Sequence, residues 1–222
     1  MDLNKQGIEY MREGKYEEAA KCFSQAIEEN PTEAIYYTNF GNLLAAVGDP
    51  ERAIAFFYKA IELDPNMGTA YYGIGSLLYN NEEYIKAKDM FEKALKTGVD
   101  NSDIYFMLGM TLIQVGQPKL ALPYMKRAVE LNENDIDALF QYALCLAGES
   151  VIDEAIAIFT QVIEREPSHA DAYYNLGVAY AGFKNEYQKA LEMFSKAVEI
   201  QPDHILAANG KKIVTEALKE EE

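Results

Sequence analysis

The sequence is poor in several residue types, and each shortage excludes a class of protein. Only two cysteines, Cys22 and Cys145, occur among 222 residues, and their wide separation fits neither a disulfide framework nor a zinc site. We expect both thiols to be buried small hydrophobes in a reducing compartment. The N-terminus lacks the basic and then apolar layout of a signal peptide, and no apolar run approaches the ~18 residues of a membrane span. The cytoplasm is therefore the expected location.

Basic residues are scarce relative to acidic ones. Lys and Arg total 20 against 36 Asp and Glu, which gives a net charge of −16. Such a field repels a phosphate backbone and an anionic bilayer, so we expect neither nucleic acid nor membrane as a partner. A basic protein segment would instead be attracted. Hydrophobic residues make up 49% of the chain and charged residues 25%, which is typical of a soluble globular protein rather than a disordered one.

Sequence patterns that carry chemistry are also missing. The chain contains no HExxH, GxSxG or Walker-type loop. The two histidines, His169 and His204, each stand two residues after a proline. A catalytic or metal-binding pair is one interpretation of them, and two exposed turn residues next to helix starts is the interpretation that we favour. We predict a protein that is not an enzyme and that uses no cofactor and no metal.

What the chain does have is self-similarity with a period of 34 residues, which is typical of a repeat architecture. The glycine slots of this frame are Gly7, Gly41, Gly75, Gly109 and Gly177, with Ala143 in the remaining slot. The same frame holds Ala19, Ala53, Ala87, Ala121, Ala155 and Ala190, and also Phe23, Phe57, Phe91, Met125, Phe159 and Phe194, with a last step of 35. Each unit predicts two amphipathic helices that cross closely at the small residues.

The second unit illustrates the pattern. We predict a first helix over Ala34–Val47 and a second over Arg52–Leu63, separated by a turn in which Asp49 caps the second helix and Pro50 opens it. In the fourth unit, Pro123 lies inside the second helix. We expect a tolerated kink there, and a deliberate change in curvature is the alternative.

This pattern resembles the tetratricopeptide repeat family, in the form of a small bacterial-type array. The residues that carry the resemblance in the last unit are Tyr173, Leu176, Gly177, Tyr180, Ala190, Phe194, Ala197 and Pro202. The resemblance implies an all-α fold, a right-handed alpha-solenoid superhelix of six helix–turn–helix units over residues 1–202. The units span about 1–33, 34–67, 68–101, 102–135, 136–169 and 170–203. One extra residue near Phe183–Glu186 should enlarge the turn between the two helices of the sixth unit.

The segment 203–222 lacks the repeat signature but keeps an apolar helical stripe. Its members are Ile205, Leu206, Ile213, Val214, Ala217 and Leu218. A repeat array needs a terminal cap with a polar outer face, and the lysines of this segment supply that polarity. We therefore predict a capping helix with a frayed acidic tail that ends in Glu220, Glu221 and Glu222.

In this family the first helix of each unit lines the concave side of the superhelix. Residues three before, one after and four after each glycine slot share one face of that helix, because these offsets fall at i, i+4 and i+7. The predicted peptide-binding groove consists of Asn42, Tyr72, Ser76, Tyr79, Phe106, Met110, Ile113, Phe140, Leu144, Tyr174 and Val178. Asp103, Asp137 and Asp171, six residues before the slots, are predicted to form an acidic rim. Inter-repeat packing and helix capping are the alternative explanations of these two sets.

The sequence thus predicts a protein–protein interaction scaffold that binds a peptide or helix of a partner protein. The expected partner segment is apolar with basic residues. One alternative is a self-associating structural protein, in which the array forms a homo-oligomer. Another is a regulator of an enzyme encoded elsewhere. The partner's identity and whether the concave or the convex face binds it stay open at this point.

Overall fold

The computed structural model describes residues 2–220, and Met1, Glu221 and Glu222 lie outside that range. The described residues form thirteen α-helices and no strand, which confirms the predicted all-α class and helix number for this part of the chain. The chain divides into two compact units, Met1–Gln117 (unit 1) and Pro118–Glu222 (unit 2).

The helices follow one another along the chain with short turns. Unit 1 contains α1 (Leu3–Arg12), α2 (Tyr16–Glu29), α3 (Ala34–Ala46), α4 (Pro50–Leu63), α5 (Gly68–Asn80), α6 (Tyr84–Lys96) and α7 (Ser102–Gln114). Unit 2 contains α8 (Pro118–Leu131), α9 (Ile136–Gly148), α10 (Ile152–Arg165), α11 (Ala170–Ala179), α12 (Tyr187–Ile200) and α13 (Ile205–Glu220). We call the odd-numbered helices A helices and the even-numbered ones B helices.

The turn inside the second repeat has the predicted chemistry. The side chain of Asp49 accepts a hydrogen bond from the backbone N–H of Arg52 at 3.3 Å, and Pro50 is the first residue of α4. A proline is tolerated there because the first N–H groups of a helix have no partner within the helix. The Asp49 cap and Pro50 at the first helical position are thus confirmed. Helix α4 begins two residues before the predicted Arg52, and α3 ends one residue earlier than predicted.

The glycine and phenylalanine slots recur together because they pack against each other. A Cβ atom placed on Gly41 of α3 would lie 2.7 Å from the ring of Phe57 on α4, and one placed on Gly75 would lie 2.8 Å from Phe91. Both rings are completely buried. The absence of a side chain at Gly41 and Gly75 allows the A and B helices of these two repeats to approach this closely.

Consecutive helices pack against each other within each unit, and the A helices also contact one another. In unit 1 the contacts between A helices join α1 to α3, α3 to α5 and α5 to α7. In unit 2, α11 contacts α13 in the same way. The A helices of unit 1 therefore lie side by side, and the face that carries the predicted groove residues runs across them.

The extra residue of the sixth repeat is accommodated differently from the prediction. It is absorbed by a π-helical segment, Tyr180–Lys184, which extends α11, so the prediction of an enlarged turn is wrong. The backbone N–H of Glu186 reaches back to the carbonyl of Tyr180 at 3.0 Å. In the preceding repeat the corresponding bond, from Val151 to Leu146, spans one residue fewer. A π-helical turn commonly takes up a single inserted residue in this way.

Pro123 lies inside α8, and the helix continues past it to Leu131. Pro123 is exposed, so the carbonyl that loses its helical partner lies near solvent on the outer surface of the helix. The fourth repeat therefore keeps a continuous B helix.

The capping helix α13 is an A-type helix, and its apolar stripe is only partly buried. A Cβ atom on Gly210 would lie 2.7 Å from the ring of Phe194, and Val214 is buried in the same cluster. Ile205, Leu206 and Ile213 are instead 73%, 58% and 65% exposed, so this part of the stripe is not covered. Of the predicted frayed tail, Glu220 belongs to α13 and the last two glutamates lie outside the described residues.

Candidate protein-interaction surface

Seven of the predicted groove residues belong to unit 1. Asn42 lies on α3, Tyr72, Ser76 and Tyr79 lie on α5, and Phe106, Met110 and Ile113 lie on α7. Asn42 is exposed and the other six are half-buried. Because α3, α5 and α7 are neighbours, these side chains share one face of the unit, where each A helix is partly covered by the next.

Tyr72 illustrates how this face is built. Its ring centroid lies 5.7 Å from that of Phe91 in the core. Burial raises the pKa of the Tyr72 hydroxyl, and the nearby carboxylate of Asp103 raises it further. The hydroxyl of Ser76 donates to the backbone carbonyl of Tyr72 at 3.0 Å. A predicted groove aromatic and a predicted rim carboxylate are therefore close enough to interact electrostatically in unit 1.

Tyr79 lies at the end of α5 and packs against the next helix. Its ring meets that of Tyr84 edge-on, with the centroids 5.3 Å apart. Burial is the main cause that raises the pKa of the Tyr79 hydroxyl, and Tyr84 adds to it. Tyr79 therefore contributes to packing between α5 and α6 as well as to the surface.

The remaining four groove residues belong to unit 2, where the aromatic members also pack internally. The centroid of Phe140 lies 5.8 Å from Phe159 and 4.5 Å from His169. The ring centroid of Tyr174 lies 6.0 Å from that of Phe194 and 5.1 Å from that of His204. The other two are aliphatic: Leu144 is half-buried and Val178 is 36% exposed. In unit 2 the rings of Phe140 and Tyr174 therefore pack against core aromatics and remain partly exposed to solvent.

The two histidines have a structural role that the sequence analysis missed. His204 is 8% exposed, so its assignment as an exposed turn residue is wrong, and His169 is half-buried. Each ring accepts a backbone N–H at the start of the following A helix through Nδ1, from Ala172 and Ala207 respectively, at 3.2 Å. The rings therefore cap α11 and α13. The sequence did contain a signal for these caps, because each histidine stands two residues after a proline and one residue before a predicted helix start.

His204 also connects the groove and rim sets in unit 2. Its ring centroid lies 5.1 Å from that of Tyr174, and Nε2 lies 3.2 Å from a carboxylate oxygen of Asp171. Since Nδ1 accepts the cap hydrogen bond, the proton is on Nε2, which donates to Asp171. Tyr174, His204 and Asp171 thus form one contiguous cluster.

The three rim aspartates are exposed and lie in the first turns of α7, α9 and α11. None of them is the cap. The caps are the residues two positions earlier: Asn101, Asp135 and His169. Capping therefore does not explain these aspartates, although a carboxylate in a first helical turn is favoured by the helix dipole. Their exposure leaves them accessible to a basic partner.

Unit 1 also carries a row of clefts that the sequence analysis did not anticipate. Each lies between the first residue of a B helix and the C-cap of the next A helix. The pairs are Tyr16 and Val47, Pro50 and Asn81, and Tyr84 and Val115. The cleft volumes are about 240, 550 and 450 Å³. The two members of each pair recur at steps of 34 residues, and none of the predicted groove residues lines these clefts.

The two cysteines have different surroundings. Cys145 is buried, and burial raises the pKa of its thiol, with a further contribution from Glu149. Cys22 is only half-buried, so the expectation that both are buried is wrong. Among residues 2–220, no group of three or more histidine, cysteine or acidic residues is placed to hold a metal ion. Within the same residues, no helix has the length and apolar character needed to cross a bilayer.

Comparison with known proteins gives consistent matches. Family profiles described as "Tetratricopeptide repeat" match residues 4–68 and 151–205, residues 44–110 and residues 102–135. The TPR repeat-containing protein YrrB of Bacillus subtilis (strain 168) is 56% identical over 41 residues, which is 18% of this chain and 20% of that protein.

Solved structures extend the match. The crystal structure of YrrB, described as a TPR protein with an unusual peptide-binding site, aligns with a TM-score of 0.83 and 56% identity. That alignment covers 87% of this chain and 99% of YrrB. Pseudomonas aeruginosa pilF aligns with a TM-score of 0.77 and 19% identity over 93% of this chain and 94% of its own, a similarity of fold alone.

Proposed function

Because the chain belongs to the tetratricopeptide repeat family, whose members are generally protein-interaction scaffolds, we propose that it binds a segment of a partner protein on the A-helix face. The segment is apolar with basic residues, and the chain itself carries out no catalysis. The similarity to YrrB supports a peptide ligand, since YrrB is described as having a peptide-binding site.

One observation supports this proposal more than any other. Each unit has a half-buried aromatic ring on an A helix associated with an exposed carboxylate from the first turn of an A helix, and the two pairs differ in geometry. In unit 1 Tyr72 on α5 interacts electrostatically with Asp103 on the next A helix. In unit 2 Tyr174 and Asp171 both lie on α11, and the ring of His204 joins them. An aromatic edge next to a carboxylate suits a partner that presents an apolar side chain beside a lysine or arginine.

The test must separate binding from packing, because several groove aromatics also contact the core. Met110 and Val178 occupy the row one residue after the glycine slot, and neither is fully buried. Met110→Glu and Val178→Glu should each reduce capture of the partner from an extract of the source cells, measured by quantitative mass spectrometry. Tyr58→Glu and Leu120→Glu are the matched controls, since these B-helix side chains are 52% and 56% exposed.

The result that contradicts the proposal is specific. If the control variants lose the partner while Met110→Glu and Val178→Glu retain it, the B-helix surface is the binding face. Melting curves of Val178→Glu and the two control variants should agree to within a few degrees, because a surface substitution changes stability by only about ±0.5 kcal/mol. Met110 is half-buried, so capture by Met110→Glu is measured at a temperature where circular dichroism shows the variant fully helical.

The double variant Phe106→Ala with Phe140→Ala is a second test of binding on the A-helix face. Truncating a buried aromatic anchor costs roughly 2 kcal/mol or more of binding free energy, so capture should be lost. Phe140 also packs on Phe159 and His169, so some stability is lost as well. Capture is therefore measured at a temperature where circular dichroism shows the variant fully helical. Normal capture under that condition contradicts binding on this face, and an unfolded variant assigns these side chains to the core.

Self-association is the second candidate. The observation that favours it is the exposed apolar surface of α13, which comprises Ile205, Leu206 and Ile213. The net charge of −16 opposes contact between two copies at low ionic strength. Sedimentation velocity over a hundredfold range of concentration distinguishes the two candidates, because a scaffold for another protein stays monomeric and a self-assembling chain does not.

A further inference from the structure

We infer that the row of clefts on unit 1 is a second binding surface, which accepts an extended, polyproline-II segment with an apolar residue at every third position and basic residues between. This surface is distinct from the A-helix face of the proposed function. It lies at the edge where the A helices end and the B helices begin.

The clefts occupy equivalent positions in successive repeats. Tyr16, Pro50 and Tyr84 open α2, α4 and α6, and each lines one cleft. Val47, Asn81 and Val115 close the next A helix in each case. Hence the same two structural positions form each cleft, and a ligand that fits one can continue into the next.

The floors and walls of the clefts are apolar enough to bind side chains. Leu43 and Leu44 line the first cleft, and Leu77 and Leu78, the residues 34 positions later, line the second. Ile85 lines the third, and 72% of its surface is exposed. An isoleucine so exposed contributes little to the fold, and burying it under a ligand would remove apolar surface from water.

The spacing selects the conformation of the ligand. Neighbouring A helices in contact have axes about 8–10 Å apart, so the clefts recur at about that interval. A polyproline-II helix repeats every three residues with a rise of about 3.1 Å each, so residues i, i+3 and i+6 share one face about 9 Å apart. A β-strand places same-face residues about 7 or 13 Å apart. On one face of an α-helix, side chains recur every 3–4 residues, which is closer than the spacing of the clefts. The side chains that fall between two clefts would collide with the turns that separate them.

The charge selects the flanking residues. Four carboxylates line the clefts, those of Glu17, Glu51, Glu82 and Glu83. The lining cations are Arg52 and Lys86, and they pair with Asp49 and Glu83 respectively. The lining is therefore net acidic, as is the whole chain at −16. A second copy of this chain would be repelled from it, and a lysine-bearing segment would be attracted.

The experiment uses the full chain and synthetic peptides. The probe is a fluorescein-labelled peptide of four Leu-Pro-Lys triplets, and its binding is followed by fluorescence anisotropy. The spacing control has the same composition in the order Leu-Leu-Pro-Pro-Lys-Lys, repeated twice. The triplet peptide should bind at least about tenfold more tightly than the control, because its leucines can fill three successive clefts, whereas those of the control can fill only the first and the third. Equal affinities, or no binding of either peptide, would overturn the inference.

Variants then locate the peptide. Ile85→Lys should weaken binding about tenfold by placing a cation in the third cleft. Ile213→Lys is the matched control, because Ile213 is similarly exposed at 65% but lies on α13 in unit 2. Met110→Glu, which tests the A-helix face, should leave the affinity of the triplet peptide unchanged. If Met110→Glu abolishes binding and Ile85→Lys does not, the peptide binds the A-helix face and the cleft assignment is wrong.

Discussion

Gly41 on α3 faces the ring of Phe57 on α4 so closely that a Cβ atom at Gly41 would lie 2.7 Å from a ring carbon. Phe57 is fully buried and cannot move aside. We predict that Gly41→Ala lowers the free energy of unfolding by about 1–2 kcal/mol. The overpacking cost of about 1–3 kcal/mol outweighs the gain of up to about 1 kcal/mol in helix propensity. Urea denaturation followed by circular dichroism measures the change.

The control for this substitution is Gly148→Ala. Gly148 lies at the end of α9, and a Cβ atom there would meet nothing within 4 Å. Alanine should therefore leave stability unchanged or slightly raise it, through helix propensity alone. If both variants lose stability equally, the contact with Phe57 is not the reason for the glycine period.

The turn between the helices of each repeat requires a left-handed residue, and three repeats lack the glycine that suits it. Gly14, Gly48 and Gly116 have positive φ, and so do Ser150, Glu82 and Asn185, at 62°, 60° and 55°. Ser150→Gly should stabilise the chain by roughly 0.5–1 kcal/mol, because the strain of an L-residue in this region is about 1–2 kcal/mol and glycine costs some entropy in return. The converse variant Gly48→Ser should lose a similar amount. Thermal melts of the two variants check the opposite signs.

The periodic positions could be read from the sequence because one physical contact recurs at each of them. Gly41 and Phe57 contact each other, so selection for the contact leaves a period that is visible without a structure. The left-handed conformation of the turn at Ser150 and at Glu82 could not be predicted from the sequence, because neither residue type favours positive φ. The caps formed by His169 and His204 escaped notice because histidine is an uncommon cap, whereas Asn and Asp at the matching positions are ordinary ones.

The candidate site could be predicted only in part. The periodicity predicted that Tyr72 and Met110 lie on one face of the A helices. It could not predict what fraction of each side chain is buried in the core and what fraction is exposed. That division depends on contacts such as that between Phe140 on α9 and His169, which caps α11. The clefts beside Tyr16 and Tyr84 are formed by residues that are far apart in the sequence, so no single motif predicts them.

His204 offers a test of the cap at the start of α13. His204→Ala should reduce the free energy of unfolding by about 1–2 kcal/mol, since it removes the acceptor of the Ala207 N–H and the hydrogen bond to Asp171. His204→Asn should recover part of the loss, because an asparagine side chain can accept the same N–H. The comparison is made by urea denaturation at pH 7. Asparagine no better than alanine would show that the cap contributes nothing measurable.

The capping helix should stabilise unit 2 through the surface that it covers. A chain that ends at Pro202 loses α13, which covers Phe194 and Ala197. We expect a loss of at least ~2 kcal/mol, comparable to exposing one large buried side chain, together with reduced solubility. The control is a chain that ends at Lys219, which removes only acidic residues at the tail and should melt like the full chain. Equal melting of the two truncations would show that α13 stabilises nothing.

The exposed rim carboxylates should control how fast the partner binds rather than how tightly it is held. Asp103 and Asp137 lie in the first turns of α7 and α9, exposed to solvent. Asp103→Asn combined with Asp137→Asn should therefore slow association with the captured partner at low salt and leave melting unchanged. At about 0.5 M salt the double variant and the parent chain should associate equally, because charges separated by more than a few ångströms are then screened. Asp171→Asn is the contrasting variant, since it also replaces the charged acceptor of the His204 Nε2–H by a neutral amide oxygen and should cost some stability. A stopped-flow salt series measures the association rate. The same salt slope for the double variant and the parent chain would show that these aspartates do not face the partner.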